Sequence, residues 1–469
     1  MWTRLVPLIL LAPACGNDDP GCDDELFADA DGDGFGDPET GVVRCAADGF
    51  VEAGTDCDDT NAAMFPGAVP ACDDGGTDDD CDGVIDPIDA DGDADGSSVC
   101  AGDCDDTDET RAGTPTAAEV CNGMDDDCDG LVDLDDLDPA DVGTTSMTFT
   151  TYNPCVLDPT TVSLCHRDDP DNVQTHTNGE RLHRVAYRTD QPLRDELLLY
   201  FPPGPGTNND LLLQWMAHTG YRLVSLGWTN ENSVLGPGFE PYDAFFENLR
   251  GELSYGEDDS VDVEVGPADS VVGRLSTLLD FLAVEEPTMG WEQYRDTTRT
   301  GAAGIRWDRI VATGWSEGAS EAGWLARDHL FDSVVLLSGP TDVGGAIEGV
   351  PKLPPAPWVF DTPRATPACR HFEFYHELEL EPDPDYDVLL LSLEALDVLT
   401  PPDLGVDADA SLPPYVDTRV IYTNKSDFNE GFGCTYHQAM AMDQCMSEEL
   451  VVPYHWLYCT AGVPTDDCP

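Results

Sequence analysis

Basic residues are scarce in this chain, where 21 Lys and Arg stand against 94 Asp and Glu among 469 residues, a formal charge of −73. Nucleic acid would repel such a polyanion, so a nucleic-acid binder working through bulk charge is excluded. Aromatic residues are missing from one region. Between Gly16 and Gly143 there is no Trp, no Tyr and no His, and only four Phe, whereas all 14 Tyr lie beyond residue 150. That segment cannot fold on apolar burial alone and needs metal ions or cross-links. Long apolar runs are also lacking, since none approaches the roughly 20 residues that cross a bilayer.

What is present divides unevenly. Residues 1–143 hold 41 acids and 3 bases, and residues 144–469 hold 53 and 18. With 41% hydrophobic residues the chain can fill at least one sizeable core, and its length allows two or three domains. Met1 to Ala14 carries one Arg, the apolar run Leu5 to Ala12 and then Ala12-Pro13-Ala14, which reads as a secretory signal over residues 1–14. The small residues before Cys15 resemble a bacterial lipoprotein cleavage site, with Ala12 where Leu is usual. The resemblance implies a lipid on Cys15 and, with Gly16 following, a place at the outer membrane. Simple secretion is the alternative. The 17 cysteines are odd in number, and setting Cys15 aside leaves an even set that can close as disulfides in an oxidising compartment.

After a tether at 15–27, the acidic third is a repeat. Asp56-Cys57-Asp58-Asp59-Thr60 matches Asp103-Cys104-Asp105-Asp106-Thr107, and Cys72 through Cys81-Asp82-Gly83 matches Cys121 through Cys128-Asp129-Gly130. The units cover 28–88 and 89–135. Within them D-x-D-x-D-G occurs at Asp29/Asp31/Asp33, Asp78/Asp80/Asp82, Asp91/Asp93/Asp95 and Asp125/Asp127/Asp129, and Asp37, Asp86 and Asp133 add an oxygen at the ninth position of three loops. Alternate carboxylates in a glycine-turned loop converge on one centre and suit a hard cation such as Ca²⁺. The flanking helices and terminal Glu of an EF-hand are missing. Hard oxygens and the lack of His disfavour copper. Residues 22–135 resemble the Asp- and Cys-rich metal-binding repeats of bacterial surface proteins and, more loosely, thrombospondin type 3 repeats, which implies structural calcium. An acidic, solvated stalk is the alternative. Residues 136–145 read as a linker.

From residue 146 strands alternate with amphipathic helices. Strands are expected at Glu196 to Phe201, Tyr221 to Trp228, Arg309 to Thr313, Ser333 to Leu337, Arg370 to Tyr375 and Thr418 to Thr423. Helices are expected at Asn209 to Thr219, Asp269 to Leu282 and Glu317 to His329. This alternation predicts an α/β domain over 146–469, a mostly parallel sheet covered on both faces. At one strand-to-helix junction stands Gly314-Trp315-Ser316-Glu317-Gly318, the G-x-S-x-G pattern that holds a nucleophilic serine on a tight turn.

With Trp307, Arg309, Ile310 and Val311 before that turn and Ser338-Gly339-Pro340 after the next strand, the region from Glu196 onward resembles the α/β-hydrolase superfamily, bacterial serine hydrolases in particular. The resemblance implies a Ser, acid, His chain order. Five His follow Ser316: His329, His371, His376, His437 and His455. His437, in the loop after the last core strand, is the expected base. The acid belongs after strand Arg370 to Tyr375, where Glu379 is preferred, with Glu377 and Asp427 as alternatives; Glu can orient a His as Asp does. The N–H of Glu317 and that of Gly204 or Gly206, in the loop beyond Phe201, would form an oxyanion hole. Asn230 would line the substrate pocket. The sequence thus points to an exported serine hydrolase, of small-molecule or lipid esters in preference to peptides, with amide cleavage left open, on a calcium-binding module and anchored to the membrane by lipid. The alternative is a surface binding protein whose hydrolase-like domain is inert.

Overall fold

The computed structural model describes residues 25–43, 50–51, 53–62, 64–66, 68 and 81 of the acidic third. Beyond it the described residues are 147–158, 182–189, 193–203, 209–228, 244–257, 260, 263–344, 354–380, 387–400, 404–410, 413, 415, 418–425, 434–461 and 468. The chain divides into two compact units. The first is residues 1–117 with 126–129, and the second is 118–125 with 130–469.

In the first unit, β1 (Glu25–Ala28) pairs antiparallel with both β2 (Val42–Val43) and β3 (Phe50–Val51). The loop leaving β1 is the first Asp-Gly run. Gly32 and Gly34 take φ of 91° and 99°, left-handed values that glycine adopts without penalty. Cys57 is bonded to Cys81.

The second unit is built on a nine-stranded sheet. Its strands are β4 (Met147–Tyr152), β5 (His183–Arg188), β6 (Leu197–Phe201), β7 (Arg222–Ser225), β8 (Ile310–Trp315), β9 (Ser333–Leu337), β10 (His371–His376), β11 (Val406–Asp407) and β12 (Val420–Thr423). The spatial order is β11-β12-β10-β9-β8-β6-β7-β5-β4. All neighbours from β11 to β7 run parallel, and β5 and β4 close that edge antiparallel. The helices are α1 (Pro154–Leu157), α2 (Asp210–His218), α3 (Phe245–Tyr255), α4 (Val271–Glu285), α5 (Glu317–Asp328), α6 (Asp387–Ala395), α7 (Tyr436–Ala439) and α8 (Val451–Ala461).

Alternation along β6 shows how the core is split. Leu197, Leu199 and Phe201 enter one apolar layer with residues of α3, α4, α5 and α6. Leu198 and Tyr200 enter the other with residues of α2 and α8. A strand buried on both faces reads as a continuous apolar run, which is why ELLLYF announces a central strand. The expected α/β-hydrolase class, a mostly parallel sheet with helices on both faces, is thus the one observed. No helix among the described residues is long and apolar enough to cross a membrane.

Candidate functional site

The parallel strands end on one edge, where loops gather side chains from distant parts of the chain. At the end of β8 the backbone of Ser316 takes φ 57° and ψ −115°, a conformation that costs a non-glycine residue of order 1–3 kcal/mol. Two glycines make the turn possible. A Cβ on Gly318 would stand 1.9 Å from the Phe201 carbonyl oxygen, and one on Gly314 would stand 2.3 Å from the Gly318 backbone. Ser316 itself is half-buried. The Glu317 N–H opens α5, and an N–H in the first turn has no intrahelical acceptor.

Glu379 and His437 meet at the same edge. The acid lies in a turn of 3₁₀ helix directly after β10, and the histidine lies in α7, which Thr435 starts with a capping box to Gln438. Glu379 Oε2 is 2.9 Å from His437 Nδ1. Its Oε1 accepts from Ser338 Oγ at 2.8 Å and from the His376 N–H at 3.2 Å. Glu379 is 3% exposed. The Trp315 ring, adjacent to the serine, lies 4.9 Å from the His437 ring. Ser316, Glu317, Glu379 and His437 are therefore brought to one edge.

The other histidines after Ser316 are used differently. His376 Nε2 is bound to the Lys425 carbonyl and its Nδ1 accepts from the Leu378 N–H. His329 stacks on Trp307 at 4.5 Å, and burial pushes its pKa down to about 4. His371 lies against the Pro367 carbonyl, also pushed by burial to about 4. His455 is buried in α8 and held by burial at about 3. An imidazole whose pKa burial holds this low, as at His329, His371 and His455, makes a poor acceptor for a proton in turnover.

Behind the elbow lies a charged network missed in the sequence. Arg250 of α3 binds Asp342 through Nε at 3.0 Å and Nη2 at 2.7 Å, and Glu321 of α5 through Nη1 at 3.2 Å. Ser254 donates to Glu321 and the Trp358 indole to Asp342. Burial raises Glu317 and Glu321 to about 7, against the opposing pull of Arg250. No spacing in the sequence marks this network, because its members come from four separate segments.

The loop beyond β6 is pinned where it starts: Trp228 Nε1 donates to the Pro202 carbonyl at 2.9 Å. Gly204, Gly206, Asn230 and Asp427 lie outside the described residues.

In the first unit, oxygens of Asp31, Asp33 and Asp56 lie within 4.8 Å of one another, as do those of Asp29, Asp31 and Asp59. Asp56 is 2% exposed, and Oδ2 of each of Asp31, Asp33 and Asp56 is sealed without a hydrogen-bond partner. Burial pushes the Asp56 carboxyl above its ordinary range, and Asp33, Asp31 and Asp59 add to the effect. Unpartnered buried oxygens that repel one another are costly unless a cation sits among them. The sulfurs of Cys57 and Cys81, which border Asp56, are joined in a disulfide and offer no thiolate. Among the described residues the donors are then carboxylate oxygens, a set that suits a hard divalent ion. Asp56 and Asp59 were not expected as ligands, although the repeated D-C-D-D-T block marked them. Asp37 lies outside these groups, its backbone N–H bonded to the Ala28 carbonyl. Asp78, Asp80, Asp82, Asp86, Asp91, Asp93, Asp95, Asp125, Asp127, Asp129, Asp133 and Cys15 are outside the described residues.

The parallel sheet, the left-handed serine between β8 and α5, and the acid and histidine after β10 and β12 decide the fold. It is that of the α/β-hydrolases. Residues 56–87 and 103–133 match the Cu-binding_MopE family, described as a "Putative metal-binding motif". No curated protein matches the sequence. Among solved structures, the α/β-hydrolase unit is similar to an esterase of Pyrobaculum calidifontis (15% identity, 60% of this chain and 82% of that one, TM-score 0.32). It is also similar to a bacterial heroin esterase (14%, 60% and 80%, TM-score 0.31). A third is a thermostable carboxylesterase cloned from a metagenomic library (13%, 60% and 85%, TM-score 0.30).

Proposed function

We propose that the protein is an exported serine hydrolase acting on carboxylic esters, carried on a calcium-binding repeat module. The observation that carries the hydrolase reading is the bond between Glu379 Oε2 and His437 Nδ1 at the edge where Ser316 is held on its left-handed turn. In this reading Ser316 Oγ attacks the ester carbonyl and gives its proton to His437 Nε2. Glu379 holds the Nδ1–H and stabilises the imidazolium as it forms. The Glu317 N–H, with a donor from the Gly204 loop, takes the charge on the carbonyl oxygen. His437 then returns the proton to the leaving alcohol, and water delivered by the same base hydrolyses the acyl-enzyme.

Hydrolysis of p-nitrophenyl esters of graded acyl length tests this reading. Ser316→Ala and His437→Ala are expected to lose at least about 10³ in kcat, and Glu379→Gln a smaller factor, with folding unchanged by circular dichroism. Wild-type rates equal to the buffer blank, and no labelling of Ser316 by a fluorophosphonate, would leave an inert binding domain.

In the first unit, Asp31, Asp33 and Asp56, joined by Asp29 and Asp59, would hold Ca²⁺, which when bound neutralises their buried charge. The three sealed carboxylate oxygens support this choice. Saturating calcium is expected to raise the melting temperature of the repeat module, and chelation to lower it. Copper producing the larger rise would refute the assignment. The Cys57–Cys81, Cys369–Cys468 and Cys434–Cys445 disulfides support an oxidising compartment, hence export. Anchoring by a lipid on Cys15 at the outer membrane is part of the same proposal.

A further inference from the structure

We infer that Ser338 is a positioning residue for the acid, holding one oxygen of Glu379 so that the other faces His437. The inference rests on the serine-hydrolase reading. Ser338 begins the Ser338-Gly339-Pro340 segment that follows β9, and it is fully buried, which keeps it from touching substrate. Its φ of 50° is left-handed, and strain of this kind persists only where surrounding structure enforces it. The hydroxyl reaches the neighbouring strand end and donates to Glu379 Oε1 at 2.8 Å. With the His376 N–H on the same oxygen at 3.2 Å, Oε2 is left to His437 Nδ1 at 2.9 Å.

A carboxyl group turns easily about its terminal bond, whose torsion is broad. The His376 N–H alone is a weaker restraint than two donors from separate strands. The next residue serves a second acid, since the Gly339 N–H donates to Glu373 Oε1 of β10 at 3.4 Å. Burial pushes the Glu373 carboxyl far up, and the nearby Glu379 adds to the effect. Tyr454 of α8 is a further titratable group near both acids, and burial raises it as well. Among these groups Ser338 is the side chain that donates to Oε1, and bonds to charged groups are worth more than neutral ones.

The test compares kcat, KM and the pH profile of kcat/KM on p-nitrophenyl acetate for wild type, Ser338→Ala, Ser338→Gly, Glu379→Gln and Ser316→Ala. Gly retains the left-handed backbone without the hydroxyl, so it reports even where the Ala variant fails to fold. Both Ser338 variants are expected to lose about tenfold in kcat with KM little changed. A carboxylate free to turn from His437 stabilises the imidazolium less, so the acid limb of the profile is expected to move to lower pH. Unchanged kcat in Ser338→Gly would overturn the inference. So would a fall in kcat with the acid limb unmoved, because general loosening produces that result. Undiminished hydrolysis by Ser316→Ala would instead overturn the hydrolase reading and this inference with it.

Discussion

Glu321 shows how a single buried side chain can make the whole fold sensitive to pH. It is fully buried, bonded to Arg250 and Ser254, and raised by burial to about 7. A carboxyl whose folded pKa is raised binds more protons in the native state than in the unfolded chain. Its contribution to stability is therefore full below the unfolded pKa of about 4.5 and is lost as pH rises through about 7. The slope approaches roughly 1.4 kcal/mol per pH unit for one proton. Glu321→Gln mimics the protonated acid, keeps an acceptor for Ser254 and is expected to remove that share of the slope between pH 5 and 7. Urea unfolding across this range, wild type against variant, measures it, and identical slopes would contradict the assignment. At this scale the elbow was legible, because G-x-S-x-G fell between a strand and a helix. Arg250 was not, since a lone arginine on a helix gives no sign of which acids will meet it.

At the scale of elements, the segment carrying His437 is tied from several sides. Cys434 and Cys445 close it, Thr435 caps α7, and Tyr454 donates to the Met440 carbonyl. It is also fastened to α2: Asp443 accepts from the N–H groups of Asp210 and Leu211, and the Asn209 side chain donates to the Ala441 carbonyl. Closing so short a loop restricts the unfolded chain by about 3 kcal/mol in the chain-entropy model. Replacing both Cys434 and Cys445 by Ser is expected to lower the unfolding free energy by up to that amount and to reduce kcat, both readable by urea titration and ester hydrolysis. Full activity in the double variant would show that the remaining bonds hold His437 unaided. Sequence periodicity found the central strands and α5 but missed β4, β5 and α8. The first two pair antiparallel at an edge, outside the strand-helix alternation that betrays a parallel sheet. α8 (VVPYHWLYCTA) is apolar or aromatic on every side, so no 3.6-residue stripe distinguishes it.

Across the whole molecule, the two units solve the problem of excess acid differently. The second buries its acids against arginines, as at Arg250 with Asp342 and Arg274 with Asp269. The first has too few bases to do so, and its buried oxygens face one another. Chelation is therefore expected to remove a calorimetric transition belonging to the first unit while leaving the second transition and ester turnover unchanged. Loss of activity on chelation would show that the units depend on each other. The gathering of carboxylates in the first loop was legible in the Asp spacing. That Asp56 and Asp59 join the first loop was not, because the chain returns to it only after β2 and β3.

The backbone contact at Gly318 has a further consequence. With the Phe201 carbonyl already where a Cβ would lie, β6 and α5 stand at their minimum separation, set by main chain against main chain. The height of Ser316 above the sheet is thus gauged independently of the side chains that fill either apolar layer. Drift or redesign of those layers can alter what surrounds the elbow while Ser316 keeps its place.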